Sequence, residues 1–206
     1  MLWSSLTSRD VLHSAAINLN YREGGIKCEE KNILLLKVSK IVFLFQELSI
    51  LQDIGDTTGE CRAHGNLGAV HMSLGNNTLA LRCFQEQLER ARDLKDELGE
   101  AQAYGNMGIT RMNLSHFEEA IQNFEAQLKA LENSPKAGLK EKARVYGNLG
   151  DCFDALGNLR SSVRYHEQFL SLSLKSCSLR DQDKAYRGLG LTNKNMGNLQ
   201  EALVRQ

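Results

Sequence analysis

The sequence predicts an all-α fold, a solenoid of antiparallel helix pairs stacked side by side. Three observations predict it. First, a tetrapeptide recurs as Gly65-Asn66-Leu67-Gly68, Gly105-Asn106-Met107-Gly108 and Gly147-Asn148-Leu149-Gly150, with a weaker copy at Arg187-Gly188-Leu189-Gly190. The copies start at positions 65, 105, 147 and 187, intervals of 40, 42 and 40 residues. A fixed period in that range signals a repeat array. Second, a single proline, Pro135, stands in 206 residues of which 24% are charged, which suits long uninterrupted helices. Third, apolar residues between the tetrapeptides follow helical spacing, as in Leu81, Phe84 and Leu88.

Taken in order, residues 1–37 carry no copy of the repeat and are a candidate for poor order, with a break at Arg22-Glu23-Gly24-Gly25 where paired glycine weakens a helix. The apolar run from Ile33 to Leu51 is interrupted by Lys37, Lys40 and Glu47, each costly at a bilayer centre, so a buried helix is expected and no membrane span. Residues 38–55 parallel the second helix of a later unit, as Phe45-Gln46-Glu47-Leu48 parallels Phe84-Gln85-Glu86-Gln87-Leu88, and form a half repeat.

A full repeat follows near residues 57–95. Asp56 or Thr57 caps its first helix, Leu74-Gly75-Asn76 stops it, and a second helix starts near Thr78. The next repeat, near 97–133, keeps this plan with Ala103, Tyr104, Met107 and Gly108, then Phe117, Ala120, Ile121, Phe124 and Leu128. The connector Asn133-Ser134-Pro135-Lys136-Ala137-Gly138 reads as a loop and accounts for the longer interval. A repeat near 139–178 turns at Leu156-Gly157-Asn158, and a truncated one, 183–206, is expected to turn at Met196-Gly197-Asn198.

An aromatic, then Leu, Gly, Ala and Phe at these spacings resembles the tetratricopeptide repeat: Tyr104, Met107, Gly108, Ala120 and Phe124, or His64, Leu67, Gly68, Ala80 and Phe84. The period near 40 is similar to the long repeats of the Leu-Gly-Asn spindle-orientation adaptors and of kinesin light chains. The resemblance covers residues 38–206 and implies a right-handed superhelix with a concave, protein-binding groove. Departures stand at Ser162 and His166, where Ala and Phe are the pattern, and at Gly188 in place of Asn.

Composition narrows the function. Lys plus Arg and Asp plus Glu number 25 each, so nothing in the bulk charge favours nucleic acid or an anionic membrane. Five scattered cysteines without a C-x-x-C pair, and no secretory signal, fit a reducing, cytoplasmic setting. The sequons at Asn76 and Asn113 are then chance matches. Cys61, His64 and His71 share one helical face, but His64 takes the slot of Tyr104, Tyr146 and Tyr186, and Cys61 that of Ala101 and Ala143. Slots that hold Tyr and Ala elsewhere are packing positions, so no metal or cofactor is expected. The glycine tetrapeptides lack the Lys-Ser/Thr of a phosphate loop, and no nucleophile stands at the spacing of a base, so the chain is not expected to be an enzyme.

The remaining pattern is a stripe at i, i+4, i+7 and i+11 on each first helix. It holds Arg62, Asn66, Ala69 and Ser73; then Gln102, Asn106, Ile109 and Asn113; then Arg144, Asn148, Asp151 and Ala155; then Lys184, Gly188, Leu191 and Asn195. The resemblance places this stripe in the groove. The expected binding residues are therefore Arg62, Asn66, Gln102, Asn106, Asn113, Arg144, Asn148, Asp151, Lys184 and Asn195. Asn amides donate to and accept from an extended backbone, and Arg62, Arg144 and Lys184 favour an acidic segment. The partner expected is a protein segment, in cytoskeletal or cell-division complexes by resemblance. A structural spacer that self-associates through its ends is the alternative.

Overall fold

A computed structural model describes residues 28–204. Among these there is no strand, and the helices are α1 (Cys28–Ile54), α2 (Thr57–Ser73), α3 (Asn77–Asp93), α4 (Glu97–Asn113), α5 (Phe117–Asn133), α6 (Leu139–Ala155), α7 (Leu159–Lys175) and α8 (Leu179–Val204). No described helix is long and apolar enough to cross a membrane. The chain divides into two compact units, residues 1–90 and 91–206.

In the first unit, α1 and α2 enclose a core of Ile41, Leu44, Leu67 and Val70, to which Cys83 of α3 adds. Asp56 caps α2: its carboxylate accepts from the Gly59 amide at 2.9 Å, satisfying one of the free donors of the first turn. At the other end the Lys37 ammonium donates to the Ser73 carbonyl at 2.9 Å, placing a cation on the negative end of the helix dipole. Gly75 then takes φ +77°, a left-handed conformation in which a side chain would be strained. Asp56→Ala should cost about 1 kcal/mol in the first turn of α2, read as faster amide exchange there with the middle of α3 unchanged.

The second unit repeats the plan. Its larger core gathers Ala101, Ala120, Phe124, Leu131, Val145, Leu149 and Cys152, and a smaller one joins Ala143, Phe169 and Ala185. Gly157 again supplies the left-handed residue, at φ +74°, and Asn158 caps α7 by accepting from the Ser161 amide. At the corresponding turns 95 and 115, where the sequence has no glycine, Lys95 and Ser115 carry the positive φ themselves. The connector after Asn133 is the expected loop.

Three expectations need correction. Helix α1 takes in residues 28–32, ahead of the helix expected from Ile33, since no Gly or Pro interrupts them. Residues 1–27 of the expected non-repeat segment lie outside the described residues. The apolar run of α1 is not wholly buried, since Val38, Ile41, Leu44 and Leu48 face the core while Leu36, Phe43, Ile50 and Ile54 face outward. The last unit's first helix starts at Leu179 rather than 183, and no turn forms at Met196-Gly197-Asn198, through which α8 continues to Val204. A lone glycine weakens a helix by about 1 kcal/mol and does not by itself end one.

Candidate functional site

Each first helix is buried on two flanks and open along the predicted stripe. On α4, Ala101, Ala103, Met107, Gly108 and Thr110 are buried, whereas Gln102, Ile109 and Asn113 are exposed and Asn106 is half-buried. On α6, Ala143, Val145, Leu149 and Cys152 are buried, whereas Arg144 and Ala155 are exposed and Asn148 and Asp151 half-buried. On α8, Lys184 and Leu191 are exposed and Gly188 and Asn195 half-buried. In the first unit, Arg62, Asn66, Ala69 and Ser73 of α2 are all exposed.

The glycines set the depth of this face. A Cβ on Gly68 would lie 2.5 Å from Cε1 of Phe84, and one on Gly108 2.5 Å from Cε1 of Phe124. The first glycine of each tetrapeptide meets an amide instead: a Cβ on Gly65 would lie 2.9 Å from Gln87 Nε2, and one on Gly105 2.5 Å from Gln127 Nε2. Thus two glycines three residues apart receive two side chains three residues apart on the following helix. In α6 and α7 the two slots keep their order but change occupants. Gly147 meets Phe169, and Gly150 meets His166.

All three departures from the repeat pattern lie in contacts that α7 makes with its neighbouring helices. His166, buried on α7, lies between Gly150 of α6 and Gly188 of α8, where a Cβ would approach its Cε1 to 2.6 Å from either side. An Asn at 188 would collide with the ring. Ser162, which replaces Ala, shares a 3.0 Å hydrogen bond with Thr192 of α8, both side chains being buried. The signal was present in the sequence as two departures in one unit and a third one unit later. It becomes readable only once α7 and α8 are known to pack together.

His166 also brings two predicted stripe residues together. Asp151 lies 3.8 Å from His166 Nε2 and 3.7 Å from Lys184 Nζ, so the carboxylate joins α6, α7 and α8. Burial pushes the Asp151 carboxyl above the usual carboxylate range, opposed by Lys184 and then His166. Burial likewise holds His166 below the ordinary imidazole value, opposed by Asp151 and Asp154, so the ring is neutral at pH 7.

Other polar groups serve packing. Arg92 donates to the Tyr104 hydroxyl at 2.7 Å, lies 5.9 Å from the ring centre and reaches Glu100 at 3.9 Å. Glu60 pairs with Arg90 at 3.1 Å. His64 is 2% exposed, and burial, with a smaller contribution from Arg90, lowers its pKa to about 4. Burial pushes the Cys83 and Cys152 thiols up to about 12, which leaves them unreactive. Among the described residues no group of three His, Cys, Asp or Glu side chains is placed to hold a metal ion.

Against known proteins, the tetratricopeptide repeat family matches residues 59–133 and, in an overlapping register, 99–175. No curated protein matches the chain. Among solved structures, a single-substitution variant of a Podosopora anserina protein, described as a kinesin light chain with nearly identical tetratricopeptide-like repeats, superposes with a TM-score of 0.66 at 14% identity, covering 95% of this chain and 90% of that one. BtubC (BKLC) from P. vanneervenii superposes with a TM-score of 0.62 at 16% identity, covering 97% of this chain and 88% of that one. At such identities the likeness bears on fold alone, an all-α solenoid of this repeat type.

Proposed function

Because the chain belongs to the tetratricopeptide repeat family, a fold that generally mediates protein–protein interaction, we propose that it is a non-enzymatic scaffold binding a peptide or helical segment of a partner along the stripe. The observation that carries this reading is the contrast on α4 and α6. Polar stripe residues stay open to solvent while both flanks of the same helices are buried against neighbours.

In the second unit the recognition residues are Gln102, Asn106, Asn113, Arg144, Asn148, Asp151, Lys184 and Asn195. Arg62 and Asn66 hold the same register in the first. Exposed Arg144 and, in the first unit, exposed Arg62 favour an acidic stretch of partner, whereas Lys184 is paired with Asp151. The buried thiols of Cys61, Cys83 and Cys152, none of them in a disulfide, suit a reducing, cytoplasmic setting. Gly99–Gly108 and Asp183–Gly190 resemble repeats of the large scaffold tetratricopeptide repeat protein 28, and the described neighbours are kinesin light chain-like. Both support a partner in cytoskeletal or cell-division complexes.

The test is affinity capture with mass spectrometry, comparing the chain with an Asn106→Ala, Asn148→Ala, Arg144→Ala variant. All three side chains are exposed or half-buried, so the fold should persist. A specific set of captured proteins should be lost from the variant; an unchanged set sinks the groove reading. A spacer that associates through its ends is favoured by a different observation, the exposed Leu179 and Tyr186 seven residues apart on α8. A solution mass that doubles, and halves again on Tyr186→Glu, would decide for it.

A further inference from the structure

The outward face of α1 reads alike from either end. Leu36, Phe43 and Ile50 stand seven residues apart and are 72%, 65% and 60% exposed. Beside them, again at intervals of seven, run Ile33, Lys40, Glu47 and Ile54. The two isoleucines are 54% and 68% exposed, Lys40 is exposed and Glu47 half-buried. Intervals of seven keep each set in one row of a helix, and the two rows adjoin at offsets of three and four residues. The opposite side of α1 is already covered, with Val38, Ile41, Leu44 and Leu48 buried. Single exposed apolar residues are ordinary, but a contiguous row of them marks a contact surface.

We propose that the occupant of this face is α1 of a second copy of the chain, packed antiparallel about a two-fold axis at Phe43. Self-complementarity favours this occupant over a different protein. A two-fold interface requires that where residue i meets residue j, j also meets i. Turned end for end about Phe43, the face fulfils this to within one residue. Leu36 falls on Ile50, Ile33 on Ile54, Phe43 on its own copy and Lys40 on Glu47. The match extends to charge, because each cation falls on an anion, twice in the pair. Charges flanking an apolar seam set the orientation of paired helices. In a parallel pair Lys40 and Glu47 would stand seven residues, about 10 Å, apart along the axis and could not meet. From Ile33 to Ile54 the seam runs 21 residues, about 32 Å. Along it the five exposed apolar side chains of each copy leave water together, which supplies the attraction, while Lys40 and Glu47 fix direction and register. The contact is independent of the groove reading, since it uses α1 and none of the stripe residues.

Sedimentation of the full chain as its concentration is raised tests this, with amide exchange in α2 as the check that the first unit keeps its fold. The wild type is expected to form a dimer. Lys40→Glu and Glu47→Lys should each be monomeric where the wild type is dimeric, since either one sets like charges together at two places in the seam. An equal mixture of the two variants should recover the dimer, because one chain then offers two carboxylates where the other offers two ammonium groups. A wild type that stays monomeric at every concentration overturns the proposal. So does a dimer that neither variant weakens, or one that only Tyr186→Glu dissolves, which places the contact on α8. Monomeric variants that fail to recover on mixing overturn it as well, since the copies would then meet in another register.

Discussion

Phe124→Ala is expected to destabilise the second unit by about 3–5 kcal/mol, the usual cost of emptying a phenylalanine site in a packed core. Phe124 is fully buried among Ala101, Ala120, Leu131 and Leu149, and its ring lies against Gly108. Gly108→Ala should destabilise too, although alanine is the better helix former by about 1 kcal/mol. Its Cβ would stand 2.5 Å from the Phe124 ring, and such overpacking costs about 1–3 kcal/mol. The two effects are coupled. With the ring gone the methyl has room, so Gly108→Ala with Phe124→Ala should be more stable than Phe124→Ala alone. Amide exchange of α4 and α5 in the three variants measures this, and strict additivity would mean that the glycine does not serve the ring.

The first unit should lose stability in mild acid. His64 has a pKa near 4 in the folded chain against an ordinary 6.5, so the folded state binds its proton less readily than the unfolded one. Its contribution is complete above pH 6.5 and is lost as the pH falls from there through 4. Between pH 7 and pH 5 this amounts to about 2 kcal/mol, and roughly 3 kcal/mol once the histidine is charged in both states. His71, also lowered by burial, acts in the same direction. His64→Gln removes the larger part, so the thermal midpoint of the variant should move less than that of the wild type over the same interval. Equal shifts would assign the acid sensitivity to other groups.

Periodicity made the helices readable. Glycine tetrapeptides 40 residues apart located the first helices, and Asp56, Gly75 and Gly157 act as the cap and turn residues their chemistry implies. The failures came where local sequence is neutral. At Gly197 a helix and a turn are both open to the chain, and helix forms. At residues 28–32, ahead of the helix expected from Ile33, no repeat motif is present, yet nothing there stops a helix, and one forms. Within the candidate site, the exposure of Arg62, Gln102 and Arg144 followed from helical spacing. The Asp151–His166–Lys184 cluster did not, because it joins three helices whose packing no single-helix pattern encodes.

The histidine held between two glycines on two helices bears on how such repeats are cut and joined. His166 needs Gly150 before it and Gly188 after it, and Ser162 needs Thr192. A chimaera that transplanted α6 and α7 as a hairpin, and followed them with a first helix bearing Asn at the place of 188, would carry the imidazole into a steric block. The transferable module at this point in the chain is three helices long. Swapping boundaries drawn by the 40-residue period would cut through it.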